Sequence, residues 1–227
     1  MELRPYVYRV HMTVDVEPRP AAAPSPQRRG LRRVAVVLIG LLVAGGGLLG
    51  LADYYISTVP EPSPIRANHP IVMDELPGVV TYAFVAAIDP DFYSVSDGNM
   101  FTTSLITRRY VLLASGDTDA DESSWRIRIM AGKFEEKYSG TEILGFYLAG
   151  ADFGRGTVGL VDAAQAYFGK EPRQLTVAEA VLLAVQLHPD RPQPEEGWSR
   201  ILDVMVQQGR LSQAERAALI FPHVKGS

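Results

Sequence analysis

The sequence predicts a mainly α protein: a helical domain preceded by one transmembrane helix. Three observations lead there. Val34 to Ala52 runs nineteen residues without a charge, VAVVLIGLLVAGGGLLGLA. Ser139-Gly-Thr-Glu142, Thr176-Val-Ala-Glu179 and Ser212-Gln-Ala-Glu215 each place a hydroxyl three residues ahead of a carboxylate at the edge of an apolar run, the spacing of a capping box. Apart from a short alternating run, Tyr6 to Val10, there is no convincing train of alternating strands.

In chain order, residues 1–33 read as a disordered cytoplasmic tail, because EPRPAAAPSPQRR has too little apolar surface to pack alone. Residues 34–56 read as the membrane crossing, since nineteen apolar residues rise about 28 Å, close to the bilayer core. A secretory signal is the rival, but its apolar core is shorter, about 7–15 residues. Arg28, Arg29, Arg32 and Arg33 flank one end and Asp53 follows the other, which places the N-terminus in the cytoplasm and the C-terminal domain outside. Residues 57–75 form a proline-rich linker, extended because proline fixes its own φ and restricts its predecessor, and it is expected to hold the domain off the bilayer.

Residues 76–222 form the folded domain, with helices expected at 79–88, 140–149, 158–168, 176–187, 198–208 and 212–220. The GxGxxG of Gly154, Gly156 and Gly159 has no strand before it, so it reads as tight turns rather than a dinucleotide loop. Asp117 to Glu122 resembles the start of a calcium loop, but Glu122 stands where glycine is needed and Arg128 where the closing glutamate is needed. A solvated acidic loop is the better reading. With 22 Lys and Arg against 26 Asp and Glu, nothing favours nucleic acid. The chain has no cysteine, and its four histidines, His11, His69, His188 and His223, lie far apart; neither a metal nor a cofactor is expected.

The stretch YSGTEILGFYLAGADFGRGTVGLVDAAQAYFGK, Tyr138 to Lys170, resembles the fourth and fifth motif blocks of the family 51 glycosyltransferases, the peptidoglycan polymerases also found as the first domain of bifunctional penicillin-binding proteins. LPGVVTYAFVAAIDPDFYS, TTSLITRRY and WRIRIMAGKFEEKYS resemble its first three blocks, and the segments after Lys170 its closing helices. The resemblance implies a lysozyme-like helical lobe beside a small apolar jaw, acting on lipid II. It also implies a first-block glutamate that takes a proton from the acceptor hydroxyl, worth about 10²–10⁴ in rate. A third-block glutamate, basic residues and often a divalent ion would support the departing pyrophosphate.

Set against those blocks, the first glutamate position holds Ile88, with Asp89 beside it, and the third-block position holds Ile127. Arg108 and Arg109 replace paired glutamines, Leu112 a lysine, Ser123 and Ser124 an Arg-Lys pair, Val95 a histidine and Ala149 an asparagine. No catalytic residue is therefore assigned. The nearest carboxylates are Asp89, Asp91, Asp121 and Glu122, and one step along a helix turns a side chain by about 100°, away from the original direction. Ser104, Thr107, Arg108 and Arg109 are the candidate substrate-binding rim, because arginine pairs with phosphate bidentately. The expectation is a membrane-anchored pseudoenzyme binding lipid II, glycan or a cell-wall synthase; the alternatives are a weakly active polymerase and a scaffold without ligand.

Overall fold

The structure, a computed structural model, describes residues 26–67, 69–95, 101–188, 190 and 192–226. Residues 1–25, most of the expected cytoplasmic tail, lie outside them, as does His11. The chain divides between Asp53 and Tyr54 into two compact units. Helix α1, Pro26–Thr58, carries the first. Its portion Arg33–Thr58 is long and apolar enough to cross a membrane. The helix starts eight residues before the apolar run because Pro26 sits where a helix tolerates it and arginine is a good helix former.

The second unit is mainly α, as expected, and no strand occurs among the described residues; Asp152 and Val158 form an isolated bridge. Its helices are α2 Gly78–Ile88, α3 Phe92–Val95, α4 Leu105–Ser115, α5 Trp125–Lys137, α6 Gly140–Gly150, α7 Leu160–Phe168, α8 Val177–Gln186, α9 Pro194–Gln207 and α10 Gln213–Ala218. Two groups build the core. α2 and α8 are apolar nearly all round, pack on one another and on α9, and bury Ala83, Phe84, Val181 and Leu183 completely. In the other group α4 packs on α5 and α6 through an aromatic cluster, with ring centroids of Tyr110 and Phe134 5.2 Å apart and those of Phe134 and Tyr138 4.4 Å apart. An edge-on contact of Phe84 with Phe153 lies beyond α6, at 6.2 Å.

All three capping boxes form, at Ser139–Glu142, Thr176–Glu179 and Ser212–Glu215. Helices α4 and α5 are not apparent from periodicity. Their buried faces (Ile106, Tyr110 and Val111; Ile127, Met130, Ala131 and Phe134) are interrupted by arginine, threonine and lysine, which blurs the pattern. Helix α9 begins at Pro194, with Glu195 and Glu196 in its first turn, four residues before the apolar stripe becomes visible.

The linker is extended but not free. Val59 and Pro62 are buried, Lys133 Nζ donates to the Val59 carbonyl at 2.6 Å, Lys137 pairs with Glu61 at 2.7 Å, and Ile65 N donates to the Tyr110 hydroxyl at 2.9 Å. It is laid along α4 and α5: the Tyr110 phenol and Lys133 offer partners to a backbone that proline leaves without a ladder of its own, and Lys137 pairs with the Glu61 side chain.

Two outcomes are expected. Gly159 has φ +92°, and a Cβ there would lie 2.7 Å from the Ala149 carbonyl oxygen. Gly159→Ala should therefore cost roughly 2 kcal/mol or more, a drop of about 5 °C or more in the thermal midpoint followed by circular dichroism. The capping glutamates contribute to acid stability. The Ser139 hydroxyl holds the Glu142 carboxyl below its ordinary 4.5, and the Ser212 backbone N–H does the same for Glu215. At Glu179 burial pushes upward, but donors from Lys170 and Thr176 outweigh it. Carboxyls depressed in the folded state stabilise it above the unfolded value of 4.5 and lose that contribution as pH falls through their folded values. Thermal melts should hold steady from about pH 7 to 5 and fall below about 4.5, and the triple Glu→Gln variant should show a shallower fall.

Candidate functional site

The site is organised around the amino end of α4. A helix leaves its first four N–H groups without intrahelical partners. Here three N–H groups at that end are met by side chains: Ser104 N donates to Glu135 Oε1 at 3.0 Å, Leu105 N to Asp89 Oδ2 at 2.6 Å, and Thr107 N to Ser104 Oγ at 2.9 Å. Asp89 follows α2 and Glu135 lies on α5, so this one helix end joins three elements.

Every residue of the sequence-derived site can be placed against that end. Ile88 is 6% exposed and Ile127 0% exposed, both within the apolar core. Ser104 and Thr107 are buried, and their hydroxyls lie 2.6 Å apart, turned to each other within the cap. Arg108 Nη1 donates to the Glu122 carbonyl at 3.3 Å and its Nε to the Ser104 carbonyl at 3.4 Å. Burial lowers the Arg108 pKa from its usual value and neighbouring Arg128 lowers it further, against the opposing pull of Asp89, Glu122 and Glu135. Arg109 is the better enclosed, with a side chain 10% exposed; its Nε pairs with Glu122 Oε1 at 3.2 Å and its Nη1 donates to the Leu187 carbonyl at 3.1 Å. Asp91 is exposed in the turn into α3, where its carbonyl accepts from Ser94. Asp121 is exposed and closes a turn, its Oδ1 accepting from the Ser123 hydroxyl at 2.6 Å and from Ser123 N at 2.7 Å, which holds its carboxyl below the ordinary range.

Arg109 and Glu122 line a cleft of about 400 Å³ with Leu112, Leu113, Tyr147, Ala151, Asp152, Gln186, Leu187 and His188. Burial raises the Tyr147 phenol above its ordinary value, while the Arg109 charge and hydrogen bond act the other way. Two larger cavities, about 670 Å³ between residues 65–74 and α6 and about 710 Å³ under the C-terminal segment, take no residue of α4. The cleft brings Arg109 and Glu122 together and leaves Ser104, Thr107, Asp91 and Asp121 outside its lining. Sequence reading missed Glu135, one of four charges among Lys133, Glu135, Glu136 and Lys137 that resemble a solvated face. It also missed Tyr147, Asp152, Gln186 and His188, which separate segments contribute and only folding assembles.

A divalent ion does not fit these residues. Among the described residues no group of three or more His, Cys, Asp or Glu could hold one, Glu122 is paired with Arg109, and Asp121 is occupied by its own turn.

A family profile described as Transglycosylase matches residues 103–205. Penicillin-binding protein 1A of Mycolicibacterium smegmatis is 30% identical over 250 residues, covering 86% of this chain and 31% of its own. Penicillin-binding protein 1A of Mycobacterium tuberculosis is 30% identical over 221 residues, covering 74% of this chain and 27% of its own. A putative transglycosylase of Cupriavidus necator is 27% identical over 214 residues, covering 79% of this chain and 91% of its own. The chain thus spans about a third or less of the length of these penicillin-binding proteins. The profile match begins at Thr103, so α2, with Ile88 and Asp89, lies before it, whereas α4 to α8, the Glu135 contact and the cleft all lie within it. With this match, the helical architecture and the run of motif blocks in agreement, the chain carries a transglycosylase domain and belongs to the family 51 glycosyltransferases.

Proposed function

We propose that this protein is a membrane-anchored, catalytically silent relative of the peptidoglycan transglycosylases, which binds lipid II, a glycan strand or a cell-wall synthase and supports wall synthesis without polymerising sugar. The observation that carries the reading is the pair Ile88 and Ile127, buried hydrocarbon at the two positions where the family resemblance puts glutamates. A hydroxyl attacks only when a positioned base removes its proton, and neither side chain accepts one. Asp89, the nearest carboxylate, is committed to Leu105 N at 2.6 Å, so turning it towards a substrate would strip a helix amide of its partner.

In this reading residues 1–33 are a cytoplasmic tail, 34–56 cross the membrane once, 57–75 link, and 76–222 form the extracytoplasmic domain. The arginines before the apolar run support that orientation. The cleft beside Arg109 is the ligand-holding surface, since it has several polar groups around a concave apolar wall. Arg108 donates to the carbonyl of Glu122, the residue whose carboxylate pairs with Arg109.

Purified full-length protein incubated with fluorescent lipid II should yield no glycan chains above a protein-free control. Sustained chain formation would overturn the silent reading. Orientation is testable because the chain has no cysteine of its own. Thr118→Cys, on the exposed acidic loop, should react with a membrane-impermeant maleimide on intact cells, and Ser25→Cys only after permeabilisation. The reverse pattern would invert the topology.

A further inference from the structure

We infer that the segment following α10, residues 219–226, is a detachable strap, and that its docking sets the 152–156 turn in the wall of the Arg109 cleft. This holds whatever the cleft contains.

The strap is fastened at two points. Leu219, Phe221 and Val224 pack on the core while Ile220 is 82% exposed, so the chain lies along the surface with its side chains divided between core and solvent. At one end Phe221 meets Trp198 edge-on, with ring centroids 5.6 Å apart, and Trp198 Nε1 donates to the Ala178 carbonyl at 2.9 Å. At the other end Lys225 N donates to the Tyr167 carbonyl at 2.8 Å, and the Lys225 carbonyl accepts from Arg155 Nη1 at 3.1 Å. A cavity of about 710 Å³ is lined both by the strap, at Phe221 and His223, and by Leu182 and Gln186 of α8. A segment fastened at its ends beside a hollow has little packing to lose, which puts it at the low-stability end of the fold.

The turn that receives the strap is built around a strained residue. Gly154, Arg155 and Gly156 have φ of +79°, +52° and +73°, left-handed backbone that suits glycine and costs a residue with a β-carbon. Arg155 takes the middle position, and its side chain is the clasp: the guanidinium lies 4.8 Å from the Tyr167 ring centroid and donates to Lys225. Glycine would relax that backbone and lose the clasp. The strain points to a task for the side chain, and its contacts name the task.

From the clasp to the cleft the connection is contiguous. The Tyr167 hydroxyl donates to the Phe153 carbonyl at 2.8 Å, Gly154 N donates to Asp152 Oδ1 at 2.8 Å, and Asp152 lines the cleft. Gln186 lines both the cleft and the cavity beside the strap, and a β-carbon on Gly154 would stand 3.6 Å from its Oε1. Turn, Tyr167 and Gln186 are packed together, so release of the strap removes a support from the cleft wall. Coupling of this kind is reciprocal: what loosens the turn also loosens the strap.

The test uses the full-length protein in nanodiscs, with each variant read at the end of the strap it does not alter. Phe221→Ala should raise hydrogen exchange in residues 152–158 about fivefold or more, with α6 changing less than about twofold. Trp125→Phe leaves Trp198, 6% exposed, as the chain's one tryptophan and a reporter of strap docking. In that background Arg155→Gly should raise acrylamide quenching of Trp198 about twofold or more. Exchange at 152–158 that stays at the wild-type rate in Phe221→Ala overturns the inference, as does Trp198 that stays shielded in Arg155→Gly. Exchange that rises equally in α6 overturns it too, because that is general loosening. Neither readout involves a ligand, so failure here leaves the proposed function standing.

Discussion

The amino end of α4 is the joint on which the domain depends. Ser104 N and Leu105 N are satisfied by carboxylates from two other elements, Glu135 on α5 and Asp89 after α2, and Thr107 N by the hydroxyl of Ser104 itself. A buried amide deprived of its acceptor costs about 1–3 kcal/mol, so none of the three elements shifts without penalty to the others. The α2, α8 and α9 group and the aromatic α4, α5 and α6 group are therefore registered to each other by side-chain carboxyl acceptors as well as by apolar packing.

That joint also accounts for Asp89. Its carboxylate accepts from the first amide of a helix, and its presence needs no chemical task to account for it. The isoleucines at 88 and 127 go further in the same direction, since a buried glutamate without partners carries a desolvation cost that hydrocarbon does not. Hydrocarbon at such buried positions favours the folded state over an unpaired charge. Arg109 follows the same logic, held by Glu122 and a carbonyl from the end of α8.

How much of this was legible in the sequence varied with the physics involved. The capping boxes were readable because both partners lie within one turn, and α1 because its uncharged run matches the thickness of a bilayer core. Arg108 and Arg109 were identified as a pair, but adjacent residues on a helix diverge by about 100°. Of the two, Arg109 alone lines the cleft. Ser104 and Thr107 belong to the same sequence-derived rim, yet a serine ahead of an apolar run serves first as a cap, and the local bond takes both. Glu135 and Asp152 were invisible for the opposite reason, since their partners or neighbours lie far along the chain and local pattern carries no trace of them.

The docked segment after α1 has a consequence for reach. A flexible linker of nineteen residues would wander over a root-mean-square span of roughly 24 Å and dilute whatever it carries through that volume. With Val59 held by Lys133 and Ile65 by Tyr110, the segment between them travels with the second unit as part of its surface and contributes no free length of its own between those two anchors.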